Sequence, residues 1–464
     1  MEKFDTIVLG GGPGGYIAAV RSSQLGQKVA LVEMDKMGGV CLNRGCIPTK
    51  AVLKSAHSVF ELKGMKALGI DVEIKSLNGQ VAVSRASKIS ERISKGVSFL
   101  MKKNKVEVFK GFGRFQDAHK IEVVDPSNSS KKTLLEGKNI IVATGAHYKS
   151  FPGLEHDSKR LIGAWEAIKM ENLPKSIGII GAGAIGVEFA YFWKAFGVDV
   201  HIFEIQDRLL PIEDSDSSKE LYKAYKKYGI KMSLGIDKIS AKNNGKDVSF
   251  SVVSKGKTEV HKFEMGLIAV GMTGNIENIG LEKVGVKTDR GSIEVNEFQQ
   301  SSINHIYAIG DVAGAPLLAH AASHEGVIAA EHIAGLKPHP LNILNVPSCT
   351  YCWPQVASVG MTEQALKEKN IPYKVGKLPF VANGKAVASD EKEGHVKTLM
   401  GEYGELLGAH IVGANATELI GEYCLFKTME GIDEEMFATV HAHPTLGEWL
   451  SEAVMAANGR ALNY

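Results

Sequence analysis

The chain has 464 residues, too many for one compact core, so about three domains are expected. Its 54 basic and 52 acidic side chains nearly cancel, which leaves no surplus charge to hold polyanions and excludes nucleic acid as an expected partner. No apolar stretch is long enough to span a bilayer, and five scattered cysteines do not make a secreted disulfide framework, so a reducing cytoplasm is expected.

The N-terminus, "MEKFDTIVLGGG", enters an apolar strand-like run without a basic n-region, an apolar signal core or an Arg-rich leader, so no targeting segment is expected. The run meets Gly10-x-Gly12-x-x-Gly15, then a helix-like stretch, a second apolar run "KVALVE" and Glu33. Each residue type has its own reason in a dinucleotide site. The first glycine permits a tight turn, the second lets backbone approach a pyrophosphate, and the third lets helix pack on strand. The helix N-terminus offers free N–H groups to the phosphates, and the acid accepts hydrogen bonds from a ribose diol.

Shortly after Glu33, "GGVCLNRGCIPTK" places Cys41 and Cys46 five positions apart. On a regular helix their Cα atoms would stand about 8.6 Å apart. A disulfide needs them within about 7 Å, so bonding requires a distorted turn, which Gly45 and Pro48 allow. A zinc site would use shorter spacing and a second ligand pair, and no metal site is expected. Two buried, unpaired thiols are the alternative. Proximity to the first dinucleotide motif weighs against it, because a disulfide beside a flavin can accept or deliver two electrons.

"VDPSNSSKKTLLEGK" reads as a polar hairpin. "NIIVATGAHYKSFPG" follows as an apolar strand ending in a turn that holds Thr144 and Gly145. The glycine pattern then recurs in "SIGIIGAGAIGVEFAYFWKAFGVDVHIFE". Gly181, Gly183, Gly186 and Glu204 stand at one constant offset from Gly10, Gly12, Gly15 and Glu33, so each acid follows its last glycine at the same spacing. One such pattern is weak; two in one register argue for two dinucleotide sites. Glu204 would repel a 2′-phosphate and so favours NAD over NADP, although Arg208 stands only four positions later.

A second hairpin, "KNNGKDVSFSVVSKGK", precedes the strand-like "MGLIAVGMTGN" with Gly271 at its end. In "INHIYAIGDVAG" a strand ends at Asp311, where a carboxylate could hold a polyol; for Gly-Asp alone an ordinary β-turn is the plainer reading, and after two dinucleotide motifs it becomes the lesser one. From about residue 345 the pattern is that of a separate α+β domain. Cys349-x-x-Cys352 has thioredoxin spacing, yet it lies on a strand-like segment with no helix start behind it. Those thiols are read as packed, on opposite faces, and Cys424 as a helical core residue. Near the C-terminus, "HAHPTLGE" puts Pro444 where it suits a first helical position and Glu448 five positions after His443. A carboxylate there could orient the imidazole and raise its basicity, as removing a proton from a thiol of pKa about 8.5 requires. His441 is a nearby decoy.

"GGVCLNRGCIPTK", the duplicated GxGxxG, "ATG", "IYAIGDV" and "HAHPTLGE" closely resemble the pyridine nucleotide disulfide oxidoreductases, and the resemblance runs from end to end. It implies an α/β fold class: two Rossmann-like dinucleotide-binding domains plus a C-terminal α+β dimerisation domain. The expected division is 1–148 for FAD binding, 149–270 for NAD binding, 271–344 as a return to the FAD-binding or central part, and 345–464 for dimerisation. FAD is expected on Gly10, Gly12, Gly15, Glu33 and Asp311, and NAD on Gly181, Gly183, Gly186 and Glu204. Thr144, Gly145 and Gly271 are further cofactor-binding candidates.

The resemblance also implies that Cys41 and Cys46 form a redox disulfide, with Cys46 facing the flavin and Cys41 exchanging with substrate. Lys50 would lie close to the isoalloxazine and pair with Glu188. His443 and Glu448 would come from the partner subunit of a homodimer. Within the family, the branch most resembled oxidises dihydrolipoamide with NAD⁺ as the E3 component of 2-oxo acid dehydrogenase or glycine cleavage complexes. No lipoyl domain precedes Met1, so lipoate is expected to arrive on the lipoyl domain of an E2 protein or on a glycine cleavage H protein. Glutathione reductase relatives would favour NADP, and mercuric and large thioredoxin reductases would carry a C-terminal cysteine pair that "AANGRALNY" lacks. A rival of another class is a flavoprotein scaffold in which the two cysteines are an inert staple.

Overall fold

The apolar runs that flank the first glycine motif become β1 (Glu2–Leu9) and β2 (Val29–Glu33), joined by helix α1 (Pro13–Gln24). The two strands pair in parallel, as a helical crossover requires. A computed structural model describes residues 1–464, the side chain at position 129 excepted. Strand Asn128–Val142 lies parallel to β1 on its other side, and the polar hairpin leads into it through the antiparallel strand Lys120–Asp125. Ile306–Ala308 then joins the outer flank of Asn128–Val142, in parallel with it. The chain thus leaves this seven-stranded sheet after Val142 and returns to it only at Ile306.

Between those visits it builds a second, five-stranded parallel sheet in the order Lys231–Leu234, Asp199–Glu204, Ser176–Ile180, Met265–Ile268, Leu161–Ile162. The second expected hairpin extends to three antiparallel strands, Lys238–Asn243, Val248–Ser254 and Lys257–Phe263. The central parallel strands of both sheets hold buried runs such as Ile177–Ile180, the pattern of strands covered on both faces.

The C-terminal stretch forms a five-stranded antiparallel sheet with Leu406–Gly413 at its centre. Helices Ala416–Thr428 and Glu448–Ala457 pack against it over a core that includes Trp449, Tyr423 and Phe380. A fully buried Lys397 ties this unit to the second sheet's unit. Its Nζ lies 2.9 Å from Asp214, 3.1 Å from Asp216 and 2.6 Å from Glu363. Burial works against the charge on Lys397, but the Glu363 and Asp214 carboxylates outweigh it and hold the ammonium above the ordinary lysine range. Among the described residues, no helix is long and apolar enough to cross a membrane.

Candidate functional site

Each glycine loop stands at the carboxyl edge of a parallel sheet, where strand ends leave a crevice for a dinucleotide. Gly10 and Gly181 have φ of +110° and +104°. A Cβ on either would overlap a carbonyl oxygen of the neighbouring strand's exit, that of Ala143 or Ala269. Gly15 and Gly186 are closed to a side chain by the carbonyls of Gly10 and Gly181. The middle glycines differ. Gly12 and Gly183 are extended, with φ/ψ of −69°/−178° and −70°/−179°, and a Cβ there would find open space. That open side, at the first turn of a helix, is a cradle that fits a pyrophosphate. The acids repeat the match. Glu33 accepts the N–H groups of Gly11 and Asp35, both at 2.7 Å, and Glu204 those of Ala182 at 2.7 Å and Gln206 at 2.9 Å. Burial pushes the Glu33 carboxyl up, against the pull of the Gly11 N–H.

Asp311 sits just past Ile306–Ala308, on the same carboxyl edge as Gly10 and Glu33. Helix Ala319–Ile333 follows it and packs on α1, so closely that a Cβ on Gly326 would meet the Gly14 carbonyl. Burial raises the Asp311 carboxyl, and the buried Glu325 beside it accepts the Gly310 N–H at 2.6 Å. A desolvated carboxylate of this kind suits a polyol. Gly145 and Gly271 turn the exits of their strands at φ +72° and +115°. The Thr144 hydroxyl is committed elsewhere: it donates to the Asn275 carbonyl at 2.8 Å, and Asn275 Nδ2 donates back to the Thr144 carbonyl at 2.8 Å.

Cys41 and Cys46 are bonded, with Cα atoms 4.7 Å apart. This is far inside the regular-helix separation because the helix breaks between them. Helix α2 (Gly39–Arg44) ends, Gly45 takes φ −129° and ψ −110°, and α3 (Cys46–Gly64) starts afresh. When the pair is reduced, Cys46 is the sulfur that carries charge. Against burial, the Lys50 ammonium favours its anion. Lys50 Nζ lies 3.2 Å from both carboxylate oxygens of the buried Glu188, on helix Ala184–Ala195 of the second sheet's unit.

His443 Nδ1 donates to Glu448 Oε1 at 2.9 Å, while Glu448 Oε2 accepts the Thr445 N–H at 2.8 Å. Against burial, Thr445 and His443 hold the Glu448 carboxyl below its ordinary range. The helix starts at Glu448, so Pro444 is not its first residue; it lies in the preceding loop, after a cis bond. The His443 side chain is 80% exposed, and among the described residues no hydrogen bond links it to α2 or α3 of its own chain. The decoy His441 is bound instead to Glu422, at 2.7 Å.

Residues 4–326 match the family model described as pyridine nucleotide-disulphide oxidoreductase, and residues 346–454 match that family's dimerisation domain. The chain belongs to the pyridine nucleotide-disulphide oxidoreductases. It is 44% identical over 467 residues to a dihydrolipoyl dehydrogenase of Zymomonas mobilis, covering 100% of both chains. To that of Bacillus subtilis it is 41% identical, covering 100% of this chain and 99% of the other. In fold it is similar to the crystal structure of LpdA from Mycobacterium tuberculosis, with a TM-score of 0.90, 24% identity, and 98% and 99% of the two chains covered.

Several residues of this oxidoreductase lie outside the site. Cys349 ends up in the C-terminal core and Cys352 in the core of the second sheet's unit, each a free thiol raised by burial, Cys349 to about 12. Their strand ends at Thr350, so a turn rather than strand alternation sends them apart. Cys424 is half-buried on its helix and raised by burial to about 11. Arg208 donates to the Pro211 carbonyl at 3.1 Å and helps to line a lysine-rich cavity of about 930 Å³ along strand Lys231–Leu234. Sequence reading passed over Tyr351, whose ring centroid is 4.4 Å from Lys50 Nζ. Nothing in its local sequence marks it; only the fold brings residues 50, 188 and 351 together.

Proposed function

We propose that this oxidoreductase oxidises protein-bound dihydrolipoamide to lipoamide and reduces NAD⁺ to NADH. The observation that carries this reading is the Cys41–Cys46 bond at the head of α3, soon after the acid of the first glycine loop, in a chain aligned end to end with dihydrolipoyl dehydrogenases. FAD is assigned to the first loop, with Gly10, Gly12, Gly15, Glu33, Gly145 and Asp311, and NAD⁺ to the second, with Gly181, Gly183, Gly186, Glu204 and Gly271. We divide the chain at 1–148, 149–270, 271–344 and 345–464, and read it as a cytoplasmic homodimer joined through the last part.

In the mechanism, His443 of the partner subunit, held by its Glu448, takes a proton from one thiol of dihydrolipoamide. The resulting thiolate attacks Cys41 Sγ; the Cys41–Cys46 bond breaks and its electron pair goes to Cys46. The second substrate thiol attacks the substrate sulfur of the mixed disulfide, and its proton passes to the departing Cys41 sulfur while the first remains on the imidazole. Lipoamide closes and Cys41 leaves reduced, so two electrons and two protons have passed from substrate to protein. Lys50 stabilises the Cys46 anion, and Glu188 holds Lys50. Bound FAD would supply the link between this two-electron sulfur chemistry and hydride transfer to NAD⁺.

Glu204 supports NAD⁺ over NADP⁺, because its carboxylate, held at the loop by the Ala182 N–H, would repel a 2′-phosphate. The test is NADH formation from dihydrolipoamide by FAD-loaded protein. Turnover with NAD⁺ and at least tenfold less with NADP⁺ is expected; none with either would refute the assignment.

A further inference from the structure

Three stretches of chain meet at one ammonium. Lys50 stands on α3 one turn after Cys46, so the two share a helix face. Glu188 reaches it from helix Ala184–Ala195, with both oxygens 3.2 Å from Nζ. Tyr351 comes from the start of the C-terminal unit, just past strand Ser348–Thr350, and makes two contacts at this point. Its backbone N–H donates to Glu188 Oε1 at 2.8 Å, and its ring faces the ammonium with the centroid 4.4 Å from Nζ. That distance is within cation–π range.

A lysine side chain is flexible, and a carboxylate alone leaves its ammonium free to swing. With Glu188 fixed by the peptide and the ring face opposed to Nζ, that freedom is removed. We propose that Tyr351 is a positioning residue of the redox centre: its ring fixes the Lys50 ammonium within reach of Cys46, so that the reduced pair keeps its negative charge on that sulfur. The proposal rests on the reading that Cys41–Cys46 opens and closes in turnover. The titratable groups acting on Cys46 are Cys41, Lys50 and Glu188. Those acting on Tyr351 are Cys349, Glu188, Glu418 and Cys46, and burial, ahead of them all, pushes its phenol up to about 12. The ring is therefore neutral across the working range, and it acts through its face rather than its hydroxyl.

The distinguishing experiment uses the FAD-loaded full chain, reduced, freed of reductant under anaerobic conditions and alkylated with iodoacetamide across a pH series. Peptide mass spectrometry separates Cys46 from Cys41. Tyr351→Phe keeps the ring and is expected to leave the Cys46 midpoint at the wild-type value. Tyr351→Leu, with Tyr351→Met as a second variant should Leu not fold, is expected to raise it by about half a unit to one unit. A Leu or Met midpoint equal to wild type would overturn the proposal, and so would a Phe midpoint shifted as far as theirs. If wild-type Cys41 and Cys46 are not reduced by dihydrolipoamide, the catalytic reading fails instead, and the midpoint shift still decides whether the ring positions Lys50.

Discussion

The two glycine loops have nearly the same backbone, down to the angles of Gly12 and Gly183 and the two N–H groups each acid accepts, and they differ in what the chain does next. After Glu33 it turns into α2 and α3 and delivers a bonded cysteine pair. Past Glu204 it runs to Asp214, which caps helix Ser215–Lys227 and binds the buried Lys397. The loop is a generic device for holding a dinucleotide. Chemistry comes from the segment appended to the first copy, while the segment appended to the second anchors its unit to the C-terminal sheet.

If that division holds, Cys46→Ser should lower turnover by roughly four orders of magnitude while FAD content and melting temperature stay at wild-type values. A rate within tenfold of wild type would return the pair to the status of a staple. His443→Gln should cost about 10²- to 10⁴-fold in turnover, read by steady-state NADH formation. Glu448→Gln should cost less, because it leaves the base in place.

The second appended segment should respond in stability rather than rate. Lys397→Ala leaves the buried Asp214 carboxylate without its cation, while Glu363 keeps Lys367 and Asp216 keeps Lys377, and is expected to lose about 3–5 kcal/mol, read by denaturant unfolding. The pH dependence has a definite sign. Despite burial, Lys367, Lys397 and Tyr373 hold the Glu363 carboxyl at about 2, below the ordinary value near 4.3. Its contribution is therefore complete above pH about 4.3 and is lost as pH falls toward about 2. Wild type and Lys397→Ala should converge in melting temperature through that window, and curves that stay parallel would rule the cluster out.

The sharpest use of the loop comparison needs the mildest change. Gly181→Ala should impair NAD⁺ reduction by about ten- to a hundredfold and leave dihydrolipoamide able to reduce the cysteine pair. Gly10→Ala should instead lower FAD retention, measured as flavin absorbance per chain. The same defect from both substitutions would remove the distinction between the loops.

What sequence made legible follows from range. The glycine loops, their acids and the return strands are local patterns dictated by sterics, so the constant offset between the two copies already announced two matching units. The break at Gly45 was legible as a condition, since a helix run of that spacing holds two sulfurs too far apart to bond. Pro444 misled because its fit at a helix start is only a propensity, and the structure begins that helix at Glu448. Tyr351 and the Lys397 cluster left no local mark. Their partners lie 163 and 183 positions away, in Glu188 and Asp214, and no periodicity records such a meeting.

The central claim is that Cys41 and Cys46 cycle as electrons pass from dihydrolipoamide to NAD⁺. It is tested most directly by differential alkylation of the FAD-loaded protein during one turnover. Both cysteines should be protected at the start, labelled after anaerobic dihydrolipoamide, and protected again after NAD⁺ is added as NADH appears. NADH formed while Cys41 and Cys46 stay protected throughout would contradict the account.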